Sequence, residues 1–397
     1  MTQTIAIFST YSPSEGFGGP ARIFHERTVL ESAGHQVIHV VLQPNHANTD
    51  GRRHDFVRTV ERPYRAPIDH IYHDVDLGRR AAADESLISS IISHLRRHAT
   101  TAIMLEQPFL VDVVEQASRA LDLPVIYSSQ NVEYRLRQDL ERFQFDWKRP
   151  TDRSDEVRQI ERRAVELASV VTTICENDRH VMADEFGCDS TIVPNGTSVA
   201  SIELRPTAGP TDPIDFAFAG SSYWPNVEGF GQIATPSLAF LPPGTKIHVA
   251  GSVGAELLTY PGIAKHQSVN ASRIDIRGFL PMNELVDMMS RSRAVLVPVF
   301  IGEGSNLKSA DALASGSPVI MTERATHGYE DVLSQDAEGV TVVGTPGEFR
   351  AAMTAALRTP WSNTPIGRTR HCLLEWSTRL AVLLEAVDEA VRCSSTG

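Results

Sequence analysis

Lysine is nearly missing from this chain. It has 397 residues, 37 of them lysine or arginine, and only four are lysine: Lys148, Lys246, Lys265 and Lys308. Arginine carries the generic surface charge, so a lysine that remains is more readily one that needs a compact ammonium group. Cysteine is sparse as well. Cys175, Cys188, Cys372 and Cys393 stand far apart without a CxxC pair, which excludes a zinc knuckle and a disulfide framework and leaves small inert thiols. No run of about 18 apolar residues occurs, so no segment reads as a membrane span. The first residues, MTQTIAIFST, enter a strand pattern at once and lack the basic and long apolar regions of a signal peptide. The expected location is the cytoplasm. Positive charge is in deficit, 37 basic against 49 acidic residues with a net charge of −12. Such a surface repels a phosphate backbone, which argues against general nucleic-acid binding but leaves room for a local basic pocket.

The composition that remains, 42% hydrophobic and 22% charged, is that of a globular protein long enough for two cores. Residues 5–10 (IAIFST) form an apolar strand, followed by a glycine-rich loop at 12–20, a helix closed by Gly34 and a buried strand at 37–42. Strand, loop, helix and strand in this order make a βαβ unit and a parallel sheet. Residues 45–80 are polar and read as an irregular surface insertion. An amphipathic helix is expected over 86–98, further strands at 102–105, 124–129, 170–175 and 191–196, and charged helical sequence over 131–168. The stretch RPTAGPTDP (205–213) has the proline content of a linker. After it the alternation restarts, with strands at 214–220, 246–251, 273–278, 294–300 and 318–322, a helix at 349–357 and a long final helix at 372–391. The predicted fold is α/β, two Rossmann-like lobes with parallel sheets facing a central cleft. Lobe one spans 1–198 and lobe two 199–371, and the 372–397 helix crosses back to the N-terminal lobe. Ligands of such sheets bind at the carboxyl ends of the strands.

The chemistry concentrates in residues 294–316, AVLVPVFIGEGSNLKSADALASG. A buried strand runs into a loop with two glycines, and a helix begins near Asn306. Glycine lets backbone approach a ligand, and helix N-terminal amides favour an anion. Lys308 in the first turn adds a cation. Asp311 lies one turn on, suited to ribose hydroxyls, and Glu303 precedes the helix, within reach of sugar hydroxyls. Cation, amides and two carboxylates match a nucleotide diphosphate-sugar. The bland alternative is a plain strand-to-helix turn whose Lys308–Asp311 pair is a surface ion pair worth a few tenths of a kcal/mol. Other motifs carry less. Asp74-Val75-Asp76 is a DxD pattern outside any donor-lobe strand, and no metal site is expected. His327 follows the 318–322 strand at its ligand end, and Trp224 reads first as packing.

The spacing of Glu303 and Asp311, with SNLKSADALASGSPVI around them, resembles the signature of retaining glycosyltransferases of the GT-B fold, family 4 (glycosyltransferase group 1). Further fragments follow in the family's order: FGGPAR (17–22), SSQNVEYRL (128–136), IVPNG (192–196), FAGSSYWPN (218–226), RGFL (277–280) and EWS (375–377). The resemblance implies that Lys308 binds the donor diphosphate with backbone help from Gly304, Ser305, Asn306 and Leu307. It gives Asp311 the ribose and Glu303 the transferred sugar, and places Gly278, Phe279 and Leu280 beside the base. Gly18 and Gly19 would let the N-terminal loop come close to the phosphates.

Departures from the family are local. Where many relatives carry an arginine after the first strand of the second lobe, this chain has Ser221-Ser222; where they carry an acceptor-side histidine, it offers Gln107 and Gln130. Glutamine hydrogen-bonds a sugar but is no general base. The family's front-face scheme needs none, because the leaving phosphate takes the acceptor proton. The expected activity is metal-independent, retaining transfer of a hexosyl-type sugar from a nucleotide-sugar substrate, with UDP the favoured carrier, to an acceptor hydroxyl, without a cofactor. A nucleotide-sugar epimerase on the same fold and a non-catalytic two-lobed binding protein stand as alternatives, with a dehydrogenase behind them because the glycine loop is wrong for GxGxxG.

Overall fold

In a computed structural model the described residues are 2–15, 18–44, 55–60, 71–144, 152–199, 213–302, 304–359 and 366–394. The chain divides into two compact units, residues 1–194 with 380–397, and Asn195–Arg379. The sequence reading put these boundaries at 198/199 and 371/372.

Among the described residues unit one holds seven parallel strands: β1 (Thr4–Ser9), β2 (Gln36–Gln43), β3 (Phe56–Thr59), β4 (Ala102–Leu105), β5 (Val125–Ser128), β6 (Val170–Thr173) and β7 (Thr191–Ile192). Their order is β3-β2-β1-β4-β5-β6-β7. β1, β4 and β5 are apolar runs buried along nearly their whole length, the pattern of a parallel sheet covered by helices on both faces. The last helix, Ala381–Ser394, packs on β4, β5 and β6.

Among its described residues unit two holds six parallel strands: β8 (Ile214–Ala219), β9 (Ile247–Ala250), β10 (Ile274–Gly278), β11 (Ser292–Val297), β12 (Val319–Thr322) and β13 (Val340–Val343), ordered β10-β9-β8-β11-β12-β13. Two separate cores line its faces. Val295, Val297, Val319 and Met321 enter one, while Ala294, Leu296 and Ile320 enter the other. That is the period of two expected when each strand is apolar on both sides. The order of strands reverses between β8 and β11, so the switch point, where adjoining loops part to opposite faces and leave a crevice, lies at the carboxyl ends of these two strands.

Several expectations need correction. The 45–80 stretch is not wholly irregular. β3 pairs with β2, and His73–Ala83 is a helix burying Val75, Leu77 and Ala81; its many charged residues masked that apolar stripe. The rest of the stretch, 45–54 and 61–70, lies outside the described residues. The 205–213 linker reading falls there too, up to residue 212. β13 went unread because it is short and half exposed at a sheet edge. The expected 191–196 strand shrinks to β7. The final helix is not continuous. It breaks into Arg368–Leu373, Trp376–Arg379 and Ala381–Ser394, because Glu375 leaves the helical path to bridge Thr197.

Candidate functional site

The switch point of unit two is built by three loops. β8 ends in Gly220-Ser221-Ser222, β9 in Gly251-Ser252, and β10 in Gly278. They are laced together: Gly251 N–H donates to the Gly278 carbonyl at 2.6 Å, Val253 N–H to the Gly220 carbonyl at 3.2 Å, and Ser222 N–H to Ser252 Oγ at 2.8 Å. Gly251 has φ +92°, a conformation that side chains disfavour. Just past Gly278, Phe279 is 75% exposed, a large aromatic ring at the carboxyl edge of the sheet. Leu280 packs partly buried against the core on one face of the sheet.

From the other side of the switch point, β11 leads through Gly302 (φ +117°) and Gly304 (φ +71°) into the helix Leu307–Ala314. Glu303, assigned the transferred sugar, lies outside the described residues. Asn306 is the N-cap and makes no side-chain cap, so the amides of the first turn gain no ligand from it. The Tyr329 hydroxyl donates to the Asn306 carbonyl at 3.0 Å, and Asn195 Nδ2 to Ser305 Oγ at 2.8 Å, which fixes the entry to the helix.

Lys308 and Asp311 do not pair with one another. Lys308 Nζ donates to Asn226 Oδ1 at 2.5 Å, and the Thr197 hydroxyl donates to Asp311 Oδ1 at 2.6 Å. Among the described residues no carboxylate oxygen lies within 4.0 Å of Lys308 Nζ. The surface-ion-pair alternative is therefore wrong. Lys308 keeps some exposed area, but the protein packed around it governs its charge: burial pulls the ammonium down to about 7. Burial likewise pushes the Asp311 carboxyl up to about 6, against the pull of the Thr197 hydrogen bond. A cation and an anion, each held by a neutral partner in a place that disfavours its charge, form a site that gains when a ligand supplies the counter-charge.

These shifts set an expected pH dependence of stability. Between about 7 and the ordinary lysine value the unfolded chain binds more protons at Lys308 than the fold does, so this group's contribution rises with pH. For Asp311 the fold binds more protons between the ordinary value of 3.8 and about 6, so its contribution falls as pH rises through that window. Urea unfolding of the parent and of Lys308→Met from pH 6 to 9 separates the lysine term. The parent should gain on the variant above pH 7; parallel curves would mean an ordinary lysine.

Unit one carries the two glutamines at the carboxyl ends of its own central strands. Gln107, two residues past β4, accepts weakly from Thr10 N–H at 3.4 Å. Gln130, two past β5, accepts from the Tyr11 hydroxyl at 2.9 Å and donates to Glu106 Oε2 at 2.7 Å. Burial and then the neighbouring Glu26 carboxylate hold Glu106 well above the usual carboxylate range. The cluster leaves no room for a side chain at 19 unless it shifts: an added Cβ would lie 1.9 Å from the Tyr11 hydroxyl and 2.7 Å from Gln130 Oε1. Gly18 precedes it as N-cap with φ 70°. The DxD carboxylates are taken by ion pairs, Asp74 with His73 (3.0 Å) and Arg137 (3.6 Å), Asp76 with Arg153 (2.7 Å). Among the described residues no three His, Cys, Asp or Glu gather as a metal site, and no helix is long and apolar enough to cross a membrane.

Sequence reasoning missed Asn226, Thr197 and Asn195 as site residues. Asn226 and Asn195 lay within quoted fragments and Thr197 directly after one, yet no local pattern shows a contact to a helix 82 or 114 residues away.

Residues 214–359 match the family model described as Glycosyl transferases group 1. No curated protein matches the chain by sequence. Among solved structures the chain is similar to sucrose-phosphate synthase from Thermosynechococcus elongatus, with TM-score 0.72, 15% identity and coverage of 98% of this chain and 100% of that one. It is also similar to Anabaena HepE, solved in complex with UDP-glucose (TM-score 0.62, 13% identity, 99% of both chains), and to WaaG, a glycosyltransferase involved in lipopolysaccharide biosynthesis (TM-score 0.61, 13% identity, 99% of both). The chain thus has the GT-B fold of these structures, and the part of it that matches the glycosyl transferases group 1 model lies within its second unit.

Proposed function

We propose that this glycosyltransferase moves a hexosyl-type sugar from a UDP-linked donor to an acceptor hydroxyl with retention at the anomeric carbon and without a metal ion. The observation that carries the reading is the placement of Lys308 and Asp311 on one helix at the switch point of unit two, each held by a neutral partner and neither neutralised by the other. Lys308 and the first-turn amides of Leu307–Ala314 supply the positive charge that a departing diphosphate needs, the part a divalent cation plays elsewhere. Asp311 retains Oδ2 for the ribose hydroxyls, and the exposed Phe279 offers a face for the base. The bond from the anomeric carbon to the phosphate oxygen breaks, the bond to the acceptor oxygen forms on the same face, and the acceptor proton passes to the leaving phosphate. No protein base is required, which fits glutamines at 107 and 130; these are proposed to hydrogen-bond the acceptor. The UDP complexes of HepE support the choice of carrier.

A thermal-shift screen with UDP, GDP, dTDP and NAD, each with and without EDTA, tests the donor assignment. A ligand at about one hundred times its dissociation constant stabilises by about 2.7 kcal/mol. UDP should give the largest shift, and EDTA should leave it unchanged. Silence toward every nucleoside diphosphate sinks the assignment, and a shift abolished by EDTA sinks the metal-independent part.

A further inference from the structure

Asn226 sits where the two halves of the unit-two site meet. It follows β8 by seven residues, in the first turn of the helix Trp224–Ala234, and the residue is 9% exposed. Each end of its carboxamide is engaged. Oδ1 accepts from Lys308 Nζ, and Nδ2 donates to the Ser221 carbonyl at 3.1 Å and to Ser221 Oγ at 3.3 Å. The fit is close, since a Cβ added at Gly220 would lie 3.3 Å from Asn226 Cβ and Cγ. The amide thus joins the loop after β8 to the helix after β11, the two elements that flank the switch point.

The chemistry of the amide matters as much as its shape. A carboxylate at this position would also accept from Lys308 but would neutralise it. An amide orients the ammonium and leaves its charge unopposed, and no other side-chain oxygen among the described residues binds Nζ. We propose that Asn226 is a positioning residue for the phosphate-binding lysine: it holds Lys308 with a neutral acceptor so that the full positive charge meets the donor diphosphate, and through Ser221 it fixes the hydroxyl and backbone that complete the anion-holding face. This rests on the donor-site reading above.

A merely structural role and a charge-preserving role predict opposite rank orders. Asn226→Asp keeps the shape and the acceptor toward Lys308 but, like Asn226→Ala, loses the Nδ2 donor to Ser221. Asn226→Ala keeps neither. If Asn226 only packs, the aspartate variant outperforms the alanine variant. If it preserves the charge on Lys308, the aspartate variant is the worse of the two, because it pairs with the ammonium and repels phosphate. Calorimetric titration with UDP should give affinity about tenfold weaker for Asn226→Ala and about a hundredfold weaker for Asn226→Asp, steps of one and two units in log Kd. Unfolding midpoints, measured alongside, should not follow that order; a fall in stability that tracks the loss of affinity would show a merely structural role and overturn the proposal. In the Lys308→Ala background, adding Asn226→Ala should change UDP affinity hardly at all, as expected for residues acting as one unit. Asn226→Asp binding UDP as well as or better than Asn226→Ala overturns the proposal, as does an undiminished Asn226→Ala effect without Lys308. If the parent itself does not bind UDP, the donor-site reading falls, a separate outcome read from the parent alone.

Discussion

Replacing Lys308 by alanine is expected to weaken UDP binding about a hundredfold, in line with charge-assisted hydrogen bonds worth about 1.5–3 kcal/mol. The loss in kcat/KM should be larger, about a thousandfold. Charge on the diphosphate grows as the glycosidic bond breaks, so a cation aimed at the leaving group contributes more in the transition state than in the bound ground state. Folding should not suffer. The ammonium occupies a site where burial already pulls it down to about 7, so its removal relieves a penalty, and the only described partner left behind is the Asn226 carbonyl. Steady-state kinetics with a UDP-sugar, calorimetry with UDP and a melting curve check the three parts. A variant that binds UDP like the parent removes Lys308 from the donor site, and a collapse in stability would show it to be a structural residue. Arginine is expected to be a poor substitute, since a planar guanidinium does not reproduce a point charge seated on one amide oxygen.

The second large effect is expected from Gly251→Ala, which touches no ligand. The new Cβ would stand 2.1 Å from the Gly220 carbonyl oxygen, and Gly251 has φ +92°. The obstacle is backbone, and that carbonyl also accepts from Val253 N–H, so it has nowhere to withdraw. A strained backbone costs about 1–3 kcal/mol and overpacking about as much again. For a unit of this size that lowers the melting temperature by about 10 °C. Gly220 leads directly into Ser221, so whatever fold survives should also bind UDP less well. A melting temperature within about 2 °C of the parent would mean that the loops after β8 and β9 are not locked as described.

Much of this is legible in the sequence. The apolar runs of β1, β4, β8 and β11 are long enough to mark buried parallel strands, and the glycines before Lys308 mark the loop that feeds the helix Leu307–Ala314. What stayed hidden has physical reasons. β3 and β13 lie at sheet edges, where half of each strand faces solvent and the hydrophobic signal fades. The 372–391 stretch has helical sequence throughout, and only a tertiary bridge between Thr197 and Glu375 breaks it. In the site, residues with a fixed offset from the glycine loop could be found, whereas Asn226 and Thr197 could not. They reach Lys308 and Asp311 across the chain, and no periodicity encodes a contact of that kind. The expectation that Lys308 and Asp311 share a side was sound as helix geometry, but the partners that set their charge come from the helix after β8 and from the segment entering unit two.

The way the chain divides fixes an order of events during synthesis. Unit two is one uninterrupted segment, Asn195–Arg379, whose two ends are tied side by side where Thr197 N–H meets the Leu374 carbonyl at 2.8 Å and Trp376 N–H meets the Thr197 carbonyl at 3.2 Å. Unit one is made of two pieces, and the helix that covers β4, β5 and β6 comes from the second. A ribosome therefore delivers a sheet with part of one face uncovered, then an entire second unit, and only then the helix that covers the first. Until residues 381–394 emerge, the apolar side chains of Leu383, Ala386, Val387 and Ala390 are not there to shield the strands, and apolar surface left exposed in this way is prone to aggregate. By pinning together the ends of unit two, the Thr197–Glu375 bridge returns the chain to its starting point and shortens the search that the final helix must make.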